Sequence, residues 1–109
     1  MDQKVEAENT LDTNGNPTGG WVRGTGIDIN WQDGPLGRGE NRMPPNGAFV
    51  EGVLNAAIQR LEFFQASKFK CRENALAITK LEEAKHWLDH RTKMREAQGV
   101  EGLHAAHAG

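Results

Sequence analysis

The sequence predicts an α+β chain that is mostly α: an antiparallel helical hairpin preceded by a short β-ribbon, within an oligomer. The stretch from Cys71 to Ala97 consists largely of strong helix formers and has no internal Gly or Pro. A second helical stretch precedes it, and period-two alternation within residues 21–33 is typical of a half-buried strand. A chain of 109 residues has room for one small domain, whose core would be marginal alone.

Composition argues against several classes of protein. The net charge of −2 is unlike that of proteins that bind DNA or RNA polymers, which normally carry a basic excess. A single cysteine, Cys71, cannot form an intrachain disulfide, and the scattered histidines give no metal-ligand spacing with it. No apolar run is long enough to cross a bilayer, and the N-terminus lacks the apolar centre of a signal peptide. We therefore expect a cytoplasmic protein with no metal, no cofactor and no membrane partner.

The two ends of the chain are predicted to lack regular structure. Residues 1–20 are polar and contain Asn14-Gly15 and Gly19-Gly20 as structure breakers, so we expect a disordered arm. Packing of this arm on a partner subunit is the alternative. Residues 103–109 are rich in small residues, and we expect a frayed tail there.

The β-ribbon is expected within residues 21–33. Its main strand places three large apolar side chains on one face, Ile27, Ile29 and Trp31, and polar side chains on the other. Trp21–Arg23 is predicted to form a second short strand that folds back through residues 24–26. A two-stranded ribbon is marginal in water, so its apolar face must pack on the helices or on another chain. This requirement is the first indication of an oligomer.

A loop dense in Gly and Pro follows at residues 34–46 and carries Arg38 and Arg42. Glycines let backbone N–H groups approach a ligand closely, and an arginine can bind two phosphate oxygens at once. The loop matches neither the P-loop nor the dinucleotide fingerprint. A solvated connector between strand and helix is the alternative interpretation.

The helical hairpin is predicted to span residues 46–98, with Asn46 as the N-cap of its first helix. The first helix has an apolar face formed by Val50, Val53, Leu54, Ala57, Leu61 and Phe64, widened by Phe49 and Ile58. Such a face exceeds what one partner helix covers, which favours a subunit interface. The second helix has an apolar row of Ala77, Leu81, Ala84 and Leu88. Gly99 is expected to end this helix in the left-handed conformation.

The sequence contains no convincing catalytic constellation. Glu82 and Glu83 are adjacent, so their carboxylates point to different parts of a helix surface. Cys71 would lie at the hairpin turn, roughly 20–30 Å along the helix from His86 and His90. We therefore expect a binding protein rather than an enzyme.

Four arginines are the candidate anion-binding residues. The apolar row of the second helix continues into Arg91 and Arg95, and an antiparallel hairpin would bring this end close to Arg38 and Arg42. Bidentate arginine contacts to phosphate are charge-assisted and therefore strong. The alternative is that these arginines are solvated surface charges.

Phe64 and Asn74 are the candidate base-binding residues, near the hairpin turn. An aromatic ring can stack on a base, and an amide side chain can bond the edge of adenine by donor and acceptor together. The alternative is that Phe64 is a core residue. The two ends of one hairpin are too far apart to contact one small ligand, whereas an antiparallel dimer would make them neighbours.

Two segments carry a resemblance to a known family: NGAFVEGVLNAAIQRLEFFQ and RENALAITKLEEAKHWLDHRTKMREAQGVEG. They resemble the phage hairpin domain shared by anti-Thoeris and anti-CBASS sponges. The likeness covers Trp31 to about Gly102, so residues 21–102 are read as one sponge domain. Its most specific part is ENALAITKLEEA, and the closing QGVEG departs slightly from the RGVEG-like pattern. The entry segment WQDGPLGRGENRMPPNGAF is more similar to the anti-Thoeris branch.

The resemblance implies an oligomeric, non-enzymatic phage protein that acts in the cytoplasm of the bacterial host. Such a sponge binds and sequesters a nucleotide second messenger of bacterial immunity without cleaving it. For the anti-Thoeris branch the implied messenger is glycocyclic ADP-ribose, held in recesses between paired subunits. Some members form hexamers and also hold cyclic di- or trinucleotides, so both a dimer and a hexamer are open here.

By position, the resemblance assigns Phe64 and Asn74 to the adenine and Arg91 to phosphate. The loop arginine of the family corresponds to Arg38 or Arg42. Arg72 corresponds to a separate cyclic-trinucleotide site, where hairpins would meet around a threefold axis. Two other functions remain as alternatives: an oligomeric helical adaptor that binds a protein partner, and an enzyme that degrades the messenger.

Overall fold

The computed structural model describes residues 1–99, which form a three-stranded sheet followed by two helices. The elements are β1 (Glu6–Leu11), β2 (Pro17–Gly24), β3 (Ile27–Asn30), α1 (Val50–Gln65) and α2 (Arg72–Ala97). The predicted fold, α+β and mostly α with a helical hairpin after a β-ribbon, is confirmed. The described residues form two compact units, Met1–Phe49 with Gln98 and Gly99, and Val50–Ala97. The predicted frayed tail lies outside the described residues.

The predicted ribbon is confirmed as the antiparallel pair of β2 and β3. Trp21 lies opposite Asn30 and Gly24 opposite Ile27. The turn between the strands is Thr25-Gly26, and Gly26 has a φ of 74°, which a residue with a Cβ adopts only at a cost in free energy. Ile27 and Ile29 are half-buried and the side chains that alternate with them in β3 are exposed, as the period-two pattern predicted.

The prediction of a disordered arm over residues 1–20 is wrong, because β1 pairs antiparallel with β2 and adds a third strand to the sheet. Specific polar contacts stabilise this strand in place of an apolar pattern. The Asp12 carboxylate accepts hydrogen bonds from the backbone N–H groups of Asn14 at 2.8 Å and Asn16 at 3.0 Å, which closes the β1–β2 turn. The Trp21 indole donates to the Glu8 carboxylate across the strands at 3.2 Å.

The first helix begins at Val50, so the prediction of Asn46 as its N-cap is wrong. The Asn46 amide bonds instead to both backbone groups of Asp33, at 2.8 Å and 3.0 Å. An Asn side chain before a helix can bond locally or to a distant segment, and here the distant partner prevails. The helix ends at Gln65.

The Gln65 side chain bridges the two ends of the hairpin turn. The Gln65 amide accepts from the backbone N–H of Cys71 and donates to its carbonyl, both at 3.0 Å. The Cys71 thiol sulfur accepts from the backbone N–H of Asn74 at 3.4 Å and so occupies the N-cap position of α2. Gly99 has a φ of 72°, which confirms the predicted left-handed conformation. Within residues 1–99, neither helix has the length and apolar character needed to cross a membrane.

The hairpin unit buries little apolar surface. Among the described residues only Ile58 is buried, with 8% of its surface exposed, although the sequence placed it at the margin of the apolar face. Val50 was predicted to belong to that face but is 48% exposed, and Ala57 is also exposed. The predicted row of α2 is half-buried throughout: Ala77, Leu81, Ala84 and Leu88. Two helices with so small a core are marginally stable on their own.

We expect Ile58→Ala to lower the free energy of unfolding by about 2–4 kcal/mol, since it removes buried methylenes and leaves a cavity. Urea denaturation followed by circular dichroism at 222 nm measures this change. Val50→Ala is the matched control, because it shortens an exposed apolar side chain of the same helix. Equal losses in the two variants would contradict the central position of Ile58.

Candidate functional site

An aromatic and cationic cluster lies on α1 near the hairpin turn. The Arg60 guanidinium carbon is 5.0 Å from the ring centroids of both Phe63 and Phe64. The two rings meet edge to face, with centroids 5.7 Å apart and an interplanar angle of 70°. Phe63 is 58% exposed, whereas Phe64 is half-buried. The cluster therefore offers an aromatic surface beside a positive charge.

The guanidinium of Arg60 contacts rings rather than acceptors. Within residues 1–99 its side chain makes no hydrogen bond and no ion pair. A guanidinium donates several N–H groups in one plane and matches phosphate or carboxylate oxygens. The cluster can therefore hold an anionic group next to a stacked base.

Asn74 lies in the first turn of α2, close in sequence to the Gln65–Cys71 closure of the hairpin. Its backbone N–H bonds to the Cys71 sulfur, while its half-buried side-chain amide has no hydrogen bond to any described residue. An amide with both donor and acceptor capacity available can bond the edge of a base. Arg72 is exposed on the same turn of α2 and likewise has no ionic partner within residues 1–99.

Arg91 lies near the other end of α2, about 25 Å along the helix from Asn74. Its side chain is exposed and makes no ion pair with a described residue. Lys93 is paired with Asp89, with 3.1 Å between the ammonium nitrogen and the carboxylate oxygen. Arg95 is half-buried in the last turn of the helix. The charge of Arg91 is therefore available to an external anion.

The two loop arginines are oriented by backbone carbonyls. Arg38 donates from Nη1 to the carbonyl oxygen of Gly99 at 2.7 Å, and Arg42 donates from Nη1 to that of Gly37 at 3.3 Å. Both side chains are exposed and flank a short 3₁₀ turn at Gly39–Asn41. Gly37 has a φ of 82°, and a Cβ there would lie 2.9 Å from the Asn41 carbonyl oxygen. The loop is thus a folded segment with defined internal bonds.

The predicted site residues fall into three places. The turn end of the hairpin unit holds Phe64, Arg72 and Asn74, and the far end of α2 holds Arg91 and Arg95. The sheet unit holds Arg38 and Arg42. The predicted proximity of the loop arginines to Arg91 and Arg95 stays a prediction.

Sequence reasoning missed Arg60 and Phe63 as members of the turn-end cluster. The signal was present, since Arg60 precedes Phe63 and Phe64 by three and four residues, the spacings that bring helical side chains together.

Comparison with known proteins identifies the family. Residues 24–93 match the family model described as "Acb2/Tad1, hairpin domain". "Thoeris anti-defense 1" of Bacillus phage SBSphiJ7 is 50% identical over 76 residues, which make up 70% of this chain and 51% of that protein. The chain thus spans about half the length of this curated relative. The family match includes β3, the arginine loop, α1 and most of α2. The chain belongs to the Acb2/Tad1 hairpin-domain family.

Proposed function

We propose that this chain is a phage anti-defence protein that binds and sequesters, without cleaving it, a nucleotide second messenger of bacterial immunity. Membership in the hairpin-domain family and the name of the relative, Thoeris anti-defense 1, support this role. The first candidate ligand is glycocyclic ADP-ribose, the messenger class implied for the anti-Thoeris branch. Cyclic di- and trinucleotides of CBASS are the second class, with Arg72 in a separate site.

The observation that carries the proposal is the pairing of available cations with a stacking surface on this family's hairpin. Arg60 and Arg91 have no anionic partner among the described residues, and Arg60 adjoins two phenyl rings. A nucleotide offers a base to stack and phosphate oxygens to bind. The Asn74 amide supplies the groups that could bond an adenine edge.

The proposed site is shared between subunits. Asn74 and Arg91 are separated by about 25 Å along α2, which exceeds the reach of one small nucleotide. Two antiparallel copies would place the turn end of one hairpin beside the arginine end of the other. A dimer is therefore the smallest complete binding unit, and a hexamer would repeat it.

An exposed apolar stripe on α2 supports self-association. It consists of Leu76, Trp87 and Met94, all of which are exposed. Their spacings of eleven and seven residues place them within about 20° of each other around a helix. The half-buried residues that pack towards α1 lie on a different part of the same helix, so the stripe is left for a second copy.

Sequestration without cleavage agrees with the positions of the potential catalytic groups. The Cys71 sulfur accepts a hydrogen bond at the start of α2, whereas His86 and His90 lie roughly 20–30 Å further along it. Both imidazoles meet Trp87 edge to face, with centroids 6.1 Å and 6.0 Å from that ring. Nucleophile and base are therefore not paired within one hairpin.

Calorimetric titration tests the proposal. The purified protein is titrated with glycocyclic ADP-ribose, a cyclic dinucleotide and cyclic triadenylate, and the bound fraction is then heated and analysed by mass spectrometry. We expect tight binding of the first ligand and release of a molecule of unchanged mass. A product of altered mass would favour an enzyme that degrades the messenger, and no heat with any ligand would overturn the proposal.

The alternative function is an oligomeric adaptor that binds a protein partner. The exposed stripe on α2 would suit this role as well as self-association. An adaptor would keep its function when its candidate phosphate-binding arginines are neutralised, because its partner would bind apolar surface. If the Arg91→Ala variant still allows a phage to infect host cells that carry Thoeris, as the wild type is expected to do, the result would favour the adaptor.

We expect Phe64→Leu to weaken binding of glycocyclic ADP-ribose about tenfold, because stacking of a base on an aromatic ring contributes about 1–3 kcal/mol. Leucine keeps most of the apolar volume, so the half-buried position stays filled. Phe69→Leu is the matched control, because this ring is exposed at the hairpin turn. The Lys68 ammonium nitrogen lies 5.4 Å from its centroid. Calorimetric titration of both variants makes the comparison, and equal affinities would remove Phe64 from the site.

A further inference from the structure

The arginine loop is closed at its base by two amide side chains, Gln32 and Asn46. The Asn46 amide accepts from the Asp33 N–H at 2.8 Å and donates to the Asp33 carbonyl at 3.0 Å. In return, the Gln32 side-chain oxygen accepts from the Asn46 N–H at 2.8 Å. The Gln32 amide nitrogen also donates to the Gly34 carbonyl at 3.2 Å. We name this reciprocal arrangement of Gln32 and Asn46 the amide clamp.

Backbone hydrogen bonds next to the amide clamp pair the two ends of the loop. Gln32 donates its N–H to the Ala48 carbonyl at 2.9 Å, and Ala48 donates to the Asn30 carbonyl at 2.8 Å, so the two ends of the loop run side by side. Gly47 lies against this pair, because a Cβ at that position would approach the Trp31 carbonyl oxygen to 2.5 Å. The loop therefore starts and ends on a fixed stem.

The span above the clamp presents Arg38 and Arg42 on an exposed segment. Its internal bonds include the Met43 N–H to the Leu36 carbonyl at 2.7 Å and the Arg42 N–H to the Gly39 carbonyl at 3.2 Å. Ordering a loop and its long side chains on a ligand reduces affinity, and a loop that is already ordered avoids much of that loss. A closed base limits the conformations that the two guanidinium groups can sample.

We infer that the amide clamp of Gln32 and Asn46 positions the loop arginines for phosphate oxygens of the ligand. This inference rests on the proposed function, since it assigns to the loop the phosphate side of a nucleotide. Gln32 and Asn46 are positioning residues, because they fix the backbone of the loop that carries Arg38 and Arg42. They do not themselves contact the ligand. The two amides belong to no apolar pattern and to no ligand-binding motif. Closure of the loop explains why amide side chains lie at these two positions.

The first measurement is limited trypsin digestion, which needs no ligand. We expect trypsin to cleave after Arg38 and Arg42 mainly when the folded loop opens locally, so that the cleavage rate reports the open population. Asn46→Ala removes two hydrogen bonds of the clamp, and we expect cleavage at these two sites to become about tenfold faster. Cleavage after Lys68 at the hairpin turn is the internal reference. Asn41→Ala is the matched control, because it truncates an exposed amide within the same loop.

The second measurement is calorimetric titration with glycocyclic ADP-ribose. We expect Asn46→Ala and Gln32→Ala each to weaken binding about tenfold, with Asn41→Ala close to the wild type. A double-mutant cycle separates positioning from general damage: in a chain that carries Arg38→Ala and Arg42→Ala, Asn46→Ala should weaken binding no further. The same loss from Asn46→Ala in both backgrounds would overturn the inference.

The two measurements distinguish failure of the inference from failure of the proposed function. If the wild type binds none of the nucleotides while Asn46→Ala still accelerates cleavage, the clamp closes the loop but the nucleotide role is wrong, and the positioning role falls with it. If the wild type binds and Asn46→Ala binds equally well, the proposed function stands and the clamp has no part in it.

Discussion

Arg91→Ala should weaken the binding of glycocyclic ADP-ribose about 100-fold or more. A guanidinium that binds phosphate through two charge-assisted hydrogen bonds contributes about 1.5–3 kcal/mol for each of them. The Arg91 side chain is exposed and makes no hydrogen bond or ion pair with a described residue, so its removal disrupts no contact of the folded hairpin. The loss should therefore appear in the dissociation constant measured by calorimetry, with an unchanged urea midpoint.

Two further variants make this result specific. Lys93→Ala removes one positive charge two residues away, where the ammonium already pairs with Asp89 at 3.1 Å, and it should change affinity less than about threefold. Arg91→Lys keeps the charge without the planar fork and should lie between the wild type and Arg91→Ala. Equal losses for Arg91→Ala and Lys93→Ala would mean that only the general positive field at this end of α2 matters, which contradicts a direct contact.

The helices could be predicted closely because their signals are local. Between Cys71 and Ala97 strong helix formers, the absence of breakers and a glycine beyond the end all agree, so α2 was found within one residue at its start. The start of α1 was missed because Asn46 carries a local capping signal and also a distant partner, Asp33. A sequence lists the donors and acceptors of an amide but not which of them meet.

The first strand was missed for a different reason. Strand recognition relies on apolar alternation, and every residue of β1 is exposed. Its stability comes from cross-strand bonds such as Trp21 to Glu8 and from the Asp12 turn, which join residues through the three-dimensional register. Polar strands at a sheet edge give a composition similar to that of disordered segments.

The candidate site residues also fall into those that the sequence indicates by themselves and those that depend on distant or neighbouring contacts. Residues chosen for their own chemistry, such as Arg91 and Phe64, could be named from the sequence. The role proposed for Arg60 depends on its neighbours Phe63 and Phe64, and the role proposed for Asn46 depends on its contact with a distant backbone. Candidate residues that are defined by their spatial neighbours could therefore be named only from the structure.

Trp87→Asp should convert the protein to a monomer and abolish nucleotide binding. Trp87 is 68% exposed at the middle of the stripe that also contains Leu76 and Met94. Tryptophan at an interface commonly contributes more than about 2 kcal/mol, and a twofold interface would bury the substituted carboxylate twice. Size-exclusion chromatography with light scattering measures the mass, and calorimetry with glycocyclic ADP-ribose measures the affinity of the same samples.

The control for Trp87→Asp has to separate loss of an interface from any new surface charge. Leu11→Asp serves this purpose, because Leu11 is 66% exposed on β1 and the substitution introduces the same carboxylate. We expect Leu11→Asp to keep both the mass and the affinity of the wild type. Since Asn74 and Arg91 lie about 25 Å apart along α2, a monomer would hold only half of the proposed contacts. A monomeric Trp87→Asp variant that binds with wild-type affinity would therefore place the whole site within one hairpin and refute the shared arrangement.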